Sequence, residues 1–490
     1  MSKKWSRSRG FEYFLLAIIT VIAGLLRFYN LHVWSFWIDE YISLEASLRP
    51  YLENLSHPFW IVTRFSLDLF GISAVSLRLP PFIFGVLSIF LLYFPFKAIF
   101  DRRVALLTCF LMAISPWHIY ISQLARWYSL LLLVSAFSLI SFYFYVERHQ
   151  SLRYLIISVL LFAFSFLLHL TAGFIVLIGI VYLALLSQIR KLQPESFSRK
   201  KVNIFFVVLI LGSILLVPRF LQFVSQWNQI QLRDGSWGTT PISFVLNVLY
   251  HLTPTIGFAS FLGLILLLFR DKRKGLFIAV YAVLPALLLI IAASLEINIS
   301  NKYLFFTLPA LLLAASCLCW FIIDQTKKYR IITRMAVIGL MALPSLKADY
   351  LYFTTGHGNR DRLNEAIQFI QEKWRPTDRI FPLYFFQNFD YTQLYLKTTA
   401  TLVNLELADE HILKPETVED LDLNKRIWVV SIGKPLLPNS SGFYKWVSQK
   451  TNMAAEFQAR KGPKDNSVRV YLHSPLDQAE ALATSTSNSM

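Results

Sequence analysis

The chain has 490 residues, 55% of them hydrophobic and 16% charged, with a formal net charge of +17. Soluble domains carry about a quarter charged residues, so an ordinary soluble protein is excluded, and 42 phenylalanines with a mean hydropathy of +0.50 exclude disorder and point to a polytopic membrane protein. The three cysteines, Cys109, Cys317 and Cys319, lie in apolar runs, with neither zinc-site spacing nor a disulfide framework.

Eleven apolar runs approach the length of about 20 residues that spans a bilayer: 11–30, 80–100, 104–120, 128–146, 154–169, 171–189, 202–218, 255–270, 276–294, 303–323 and 331–346. The first is followed by Arg27-Phe-Tyr-Asn, not by the small residues of a signal-peptide cleavage site. Alternate loops differ in basic content. One set, including 1–10, 190–201 and 324–334, holds 21 Lys and Arg, whereas the opposite set, 31–79, 115–127, 218–254 and 295–302, holds 7 over far more residues. The positive-inside rule places the N-terminus in the cytoplasm and, after eleven spans, the C-terminus outside. The basic excess is thereby a topology signal rather than a nucleic-acid footprint.

After residue 346 the pattern changes. Residues 359–374 have helical spacing at Leu363, Ala366, Ile367, Phe369 and Ile370, with Pro376 beyond. Strand-like runs follow at Arg379–Tyr384, Thr401–Leu407, Arg426–Ile432 and Ser467–His473, with a helix around Gly442–Lys450. The expectation is a small exterior α/β domain over 347–476 and a disordered polar tail over 477–490.

The first exterior loop carries Trp37-Ile-Asp39-Glu40-Tyr41 just outside a span. Such a pair suits general-base catalysis, one carboxylate taking the proton of an acceptor hydroxyl. The plainer reading is Asp39 as the N-cap of a helix through Ser47, with Glu40 in its first turn. Both readings can hold together. Next, Arg126, with Gln123 and Tyr128, suits a phosphate at headgroup level, or else an interfacial anchor. Lys302 can give the same phosphate a second cation, or snorkel. Arg27 is an anchor or an intramembrane functional charge. His57, His118, His169 and His251 all fall near the exterior side, where two or three of them with a carboxylate can bind a divalent metal, although no HxxxH or HxH spacing is present. Residues Gln226, Trp227, Asn228, Arg233, Asp234 and Trp237 make an aromatic, amide-rich loop able to cover a sugar.

The order of these motifs resembles bacterial members of the dolichyl-phosphate-mannose protein mannosyltransferase superfamily. The resemblance rests on Arg27-Phe-Tyr-Asn-Leu, Trp37-Ile-Asp39-Glu40-Tyr41, His57-Pro-Phe-Trp, Phe70-Gly through Ser76-Leu-Arg78-Leu-Pro80, Ser115-Pro-Trp-His through Ser122-Gln123-Leu-Ala-Arg126-Trp-Tyr128, Lys302-Tyr303-Leu, and Asn359-Arg-Asp. It implies a GT-C fold, a polyprenyl-phosphate-sugar donor and transfer, usually inverting, to an exterior lipid, polysaccharide or protein acceptor. It makes Asp39 the catalytic base with Glu40 beside it, and Arg27, His57, Gln123, Arg126, Tyr128, Lys302 and Tyr303 the substrate-binding set. Leu124 stands where many relatives have Glu, and Lys302 where they have Arg, which keeps the charge but loses the bidentate fork. A divalent metal is a possible cofactor. The carrier phosphate is a good leaving group, so the reaction needs a base and cations rather than a strong acid. No glycine-rich phosphate loop and no D-x-D occurs on the cytoplasmic side. The rivals are a lipid-linked sugar transporter or flippase, which requires charges within the spans, and an inactive envelope scaffold. The central spans contain almost no charge.

Overall fold

The computed structural model describes residues 2–149, 151–189, 199–214, 240–295, 299–326, 329–383, 389–414, 418–433, 442–461 and 464–475, with positions 193, 217, 221 and 297 between them. It divides into two compact units: Met1–Tyr29 with Ala46–Asp349, and Asn30–Glu45 with Tyr350–Met490.

The first unit is helical. Its elements are α1 (Ser2–Phe28), α2 (Ile38–Leu48, whose first eight residues belong to the other unit), α3 (Pro58–Phe70), α4 (Ala74–Ile99), α5 (Arg102–Ala113), α6 (Pro116–Ser122), α7 (Tyr128–Phe144), α8 (Leu152–Leu168), α9 (Gly173–Gln188), α10 (Arg199–Ile214), α11 (Pro241–Leu252), α12 (Pro254–Arg270), α13 (Lys272–Ser294), α14 (Leu308–Gln325) and α15 (Arg330–Phe353). Every apolar run named above is helical over most of its described length, and the protein is a multi-pass membrane protein. The eleven expected runs are all met by helices, but not every one is a single described helix of spanning length, since α8 is short and the run 202–218 is described only in part. Among the described residues seven helices are long and apolar enough to cross a membrane, or up to nine if each of two bent pairs is one span.

The difference arises at breaks. The run 104–120 is α5 and α6, bent by 60°. Pro116 opens α6 and the Ser115 hydroxyl accepts the His118 N–H at 3.4 Å, a new helix start inside an apolar run. Helices α11 and α12 bend by 99°, while α8 has only 17 residues. Conversely, α4 begins six residues before the expected Pro80, because Ser73 and Ser76 form a reciprocal capping box. Helix α7 is buried along nearly its whole length. Gly85 lets α4 touch α6: a Cβ there would stand 2.2 Å from Ser122 Oγ.

The second unit contains α16 (Leu363–Gln371), β1 (Arg379–Leu383), α17 (Phe389–Leu402), β2 (Ile427–Ile432), α18 (Gly442–Lys450), β3 (Asn452–Phe457), β4 (Arg460–Lys461), β5 (Lys464–Asp465) and β6 (Val468–His473). The main sheet has the order β1-β2-β6-β3, with β1 parallel to β2 and the other pairs antiparallel. Strand β2 is covered on both faces, which explains its unbroken apolar run. Ile427 and Val429 join Phe381, Leu383, Leu421, Trp446 and Val447 in one cluster, while Trp428 meets Phe369 edge-on. The expected strand Thr401–Leu407 is absent. Helix α17 runs to Leu402 and a turn follows, so tertiary packing overrides the β-branched threonines. Strand β3 was not expected; it is an edge strand, mostly exposed, with two alanines among its six residues. The tail from 477 and the loop residues Gln226 to Trp237 lie outside the described residues.

Candidate active site

In the second unit, Asp39 and Glu40 occupy the first turn of α2. The helix begins one residue before Asp39, so Asp39 is not its N-cap. The capping carboxylate is Glu40, whose Oε2 accepts the Trp37 backbone N–H at 3.0 Å. This is the acidic half of a capping box. The same oxygen accepts Arg360 Nε at 3.2 Å, and both members of that pair are fully buried. Arg360 Nη1 also donates to the Gly358 carbonyl at 2.9 Å. Gly358 has φ +65° and presses against Trp34, whose ring a Cβ would approach to 2.8 Å.

Asp39 is half-buried, and its backbone carbonyl accepts the Ser43 hydroxyl at 3.1 Å. The segment around it is tied to residues far along the chain. Asn364 Nδ2 donates to the Val33 carbonyl at 3.0 Å, the Ser35 hydroxyl donates to Asn364 Oδ1 at 2.6 Å, and the Tyr395 hydroxyl donates to the Phe36 carbonyl at 2.6 Å. The Thr399 hydroxyl donates to the Tyr395 carbonyl at 2.8 Å, so the Tyr41 hydroxyl is the donor in its 2.9 Å bond to Thr399. Buried Asp361 lies 3.0 Å from the Tyr395 hydroxyl and accepts the Leu363 N–H at 3.1 Å. Burial pushes its carboxyl up to about 6, against the lowering effects of Tyr395, the Leu363 N–H and Arg360.

In the first unit, Arg27 is fully buried. Its Nη1 donates to the carbonyls of Ala23 at 3.0 Å and Ala113 at 2.9 Å, and its Nη2 donates to the Met112 carbonyl and His118 Nδ1, both at 2.9 Å. It therefore closes the C-terminus of α5 where the chain bends. Because Nδ1 accepts, His118 carries its proton on Nε2 and donates it to Ser88 Oγ at 3.0 Å. Gln123 returns the favour to α1: Nε2 donates to the carbonyls of Arg27 at 2.9 Å and Tyr29 at 2.8 Å. The Arg27 and Ser115-to-Gln123 motifs thus cap each other's helix ends, which is a physical reason for their joint presence.

Of the other expected substrate-binding residues, His57, Arg126, Tyr128 and Tyr303 meet on an aromatic cluster. His57 stacks on Trp60 at 4.1 Å between ring centroids and lies 4.6 Å from Trp127. The Arg126 guanidinium sits 3.8 Å from the Trp127 ring centroid. Tyr128 and His169 each lie 5.7 Å from Trp127, and Tyr303 lies 5.1 Å from His169. Lys302 is the neighbour of Tyr303 and half-buried; its backbone N–H donates to Ser300 Oγ. Trp60, Trp127 and His169 are members that the motifs alone did not assign. Their signal was the spacing of aromatic residues beside His57 and Arg126. His251 lies instead against Tyr120 and Trp117. Among the described residues no group of three or more His, Cys, Asp or Glu side chains is placed to hold a metal ion.

The sequence model of the family described as dolichyl-phosphate-mannose-protein mannosyltransferase matches residues 57–221. Among solved structures, ArnT from Cupriavidus metallidurans bound to undecaprenyl phosphate superposes with a TM-score of 0.54 at 14% identity, covering 94% of this chain and 98% of that one. The chain has the GT-C fold. The apo form of the same ArnT gives a TM-score of 0.50 at 14% identity, over 95% of this chain and 98% of that one. The oligosaccharyltransferase of Archaeoglobus fulgidus gives 0.54 at 12% identity over 81% of this GT-C chain, which spans 64% of that protein's length. No curated relative matches the sequence. The matched family is the one whose motifs the sequence resembles.

Proposed function

We propose that this chain is a membrane glycosyltransferase that moves a sugar from a polyprenyl-phosphate carrier to an acceptor at the exterior, periplasmic face of the plasma (inner) membrane, with inversion. The observation that carries the reading is the division of labour in the acidic pair on a GT-C fold: Glu40 is held by Arg360 and the Trp37 N–H, and Asp39 stands beside it, half-buried. Asp39 takes the proton of the acceptor nucleophile as that atom bonds to the sugar's anomeric carbon. The bond from that carbon to the phosphate oxygen breaks, and polyprenyl phosphate leaves with the electron pair. Arg126 and Lys302 neutralise the phosphate. The rings of His57, Tyr128 and Tyr303 give the donor headgroup apolar faces with polar edges. Arg27 and Gln123 act by shaping the α1 and α5–α6 ends. A divalent metal, if one takes part, would add charge stabilisation to the phosphate.

The test uses the purified full chain in proteoliposomes with a polyprenyl-phosphate sugar, following release of polyprenyl phosphate. Asp39→Asn is expected to reduce turnover by about a hundredfold or more without lowering the melting temperature. Near-normal turnover in Asp39→Asn rules out this base. Movement of the intact donor between leaflets with no bond cleavage indicates a flippase. Mass spectrometry of envelope glycolipids and glycoproteins from a deletion strain identifies sugar and acceptor.

A further inference from the structure

We propose that Arg360 is a positioning residue for the base: through Glu40 it fixes the direction in which Asp39 points. The proposal rests on the reading of Asp39 given above. Asp39 and Glu40 are consecutive in the first turn of α2, so their side chains leave the helix about 100° apart. Fixing one sets the rotation of the other about the helix axis. Helix α2 has only 11 residues, too short to hold its orientation by its own hydrogen bonds. Beside the Tyr41–Thr399 bond, Glu40 supplies a constraint at the residue next to Asp39, with Oε2 between Arg360 Nε at 3.2 Å and the Trp37 N–H at 3.0 Å.

Arg360 is itself fixed. Its Nη1 donates to the carbonyl of Gly358, in a left-handed turn packed on Trp34. Trp34 lies three residues before Trp37, and its ring also contacts His357 at 5.1 Å. The turn, the arginine, the glutamate and the helix start therefore form a closed loop of contacts, with Glu40, the neighbour of Asp39, as a member. The pairing also matters electrostatically. A buried Glu40 without its arginine would be a second negative charge beside the base, whereas the pair is neutral.

Arg360→Gln, Arg360→Lys, Glu40→Gln and the double variant Arg360→Gln/Glu40→Gln are compared with the native full chain in proteoliposomes, recording kcat, donor KM and melting temperature. Arg360→Gln is expected to lower kcat by about 10- to 100-fold, the size of a misplacement of about 1 Å, with donor KM within about twofold. The double variant replaces the ion pair by two amides able to bond each other and is expected to regain most of that loss. Arg360→Lys, which keeps the charge but not the fork, falls between. A native kcat in a folded Arg360→Gln, a loss of kcat fully explained by less folded protein, or a double variant no better than the single each overturns the proposal. If Arg360→Gln does not fold, the lysine variant decides it: native kcat there overturns the proposal, and kcat lowered at unchanged donor KM, with the double variant closer to native, supports it. Asp39→Asn measured alongside separates the two readings. Full turnover there sinks the base, whereas lost turnover there with native kcat in every Arg360 variant sinks only the positioning role.

Discussion

Arg27 in the membrane unit and Arg360 in the C-terminal unit are both fully buried, yet the first directs its N–H groups mainly at backbone carbonyls and the second at a carboxylate. A carbonyl is a neutral acceptor fixed by the backbone, so Arg27 serves as a cap for a helix that must end inside the bundle. A carboxylate is an ion whose burial is tolerable only while its partner remains. One arginine repairs a break in the backbone ladder; the other is half of a mutual dependence. The difference teaches that a buried arginine in such a chain is not by itself a substrate site.

The comparison can be broken by removing each arginine. Arg360→Met leaves Glu40 charged and buried, and should destabilise the protein by about 3–5 kcal/mol. Adding Glu40→Gln should restore most of the loss in the melting temperature of the solubilised protein. Arg27→Met leaves carbonyl oxygens short of a partner and should cost about 1–3 kcal/mol. No second side-chain change should rescue it fully as a reciprocal swap does, because three of its four acceptors, the carbonyls of Ala23, Ala113 and Met112, belong to the backbone and only His118 Nδ1 to a side chain. Equal losses with equal rescue would erase the distinction.

The turn that supports Arg360 gives a sharper, smaller test. Gly358→Ala forces a Cβ onto a residue at φ +65° and against Trp34, and should cost about 1–3 kcal/mol. Gly339→Ala, in α15 with nothing near the added carbon, should be neutral or stabilising by up to about 1 kcal/mol. Both values are read from thermal melts.

A last test concerns Asp361, whose carboxyl burial holds at about 6, above the unfolded value of about 3.9. Between those values the folded chain binds more protons than the unfolded one, so stability falls as pH rises from about 4 through 6. Asp361→Asn should flatten that slope while keeping an acceptor near Tyr395. A native slope in that variant would show that another group carries it.

Much of the membrane unit was legible because burial in lipid imposes long apolar runs, and each run is helical over most of its described length. The breaks were less legible, although Ser115-Pro116 carries a helix-start signal that hydropathy alone passes over. In the C-terminal unit, β1, β2, β6, α16 and α18 followed from local pattern. Residues 401–407 did not, since packing of α17 outweighs threonine's preference for strands. In the site, Asp39 and Glu40 were visible as a pair, but their separate uses were not. The capping role falls to Glu40, which only the position of Trp37 decides. Arg360 was visible within the Asn359-Arg-Asp motif, but its pairing with Glu40, like the bonds of Asn364 and Tyr395, was not, because the partners lie more than three hundred residues away. The aromatic cluster was half seen: Arg126, His57, Tyr128 and Tyr303 came from motifs, whereas Trp60, Trp127 and His169 come together only in the folded bundle.

The 320-residue separation between Glu40 and Arg360 also sets a clock. At synthesis rates of about 5–20 residues per second, roughly 16–64 s pass between the arrival of the glutamate and that of its arginine. Throughout that interval every intervening span is being made while α2 lacks the residues that hold its start. Glu40 must wait in water, protonated or with a temporary partner. The start of α2 therefore reaches its final form only after α15 has been synthesised, so a stalled or clipped chain would carry Asp39 without the means to aim it.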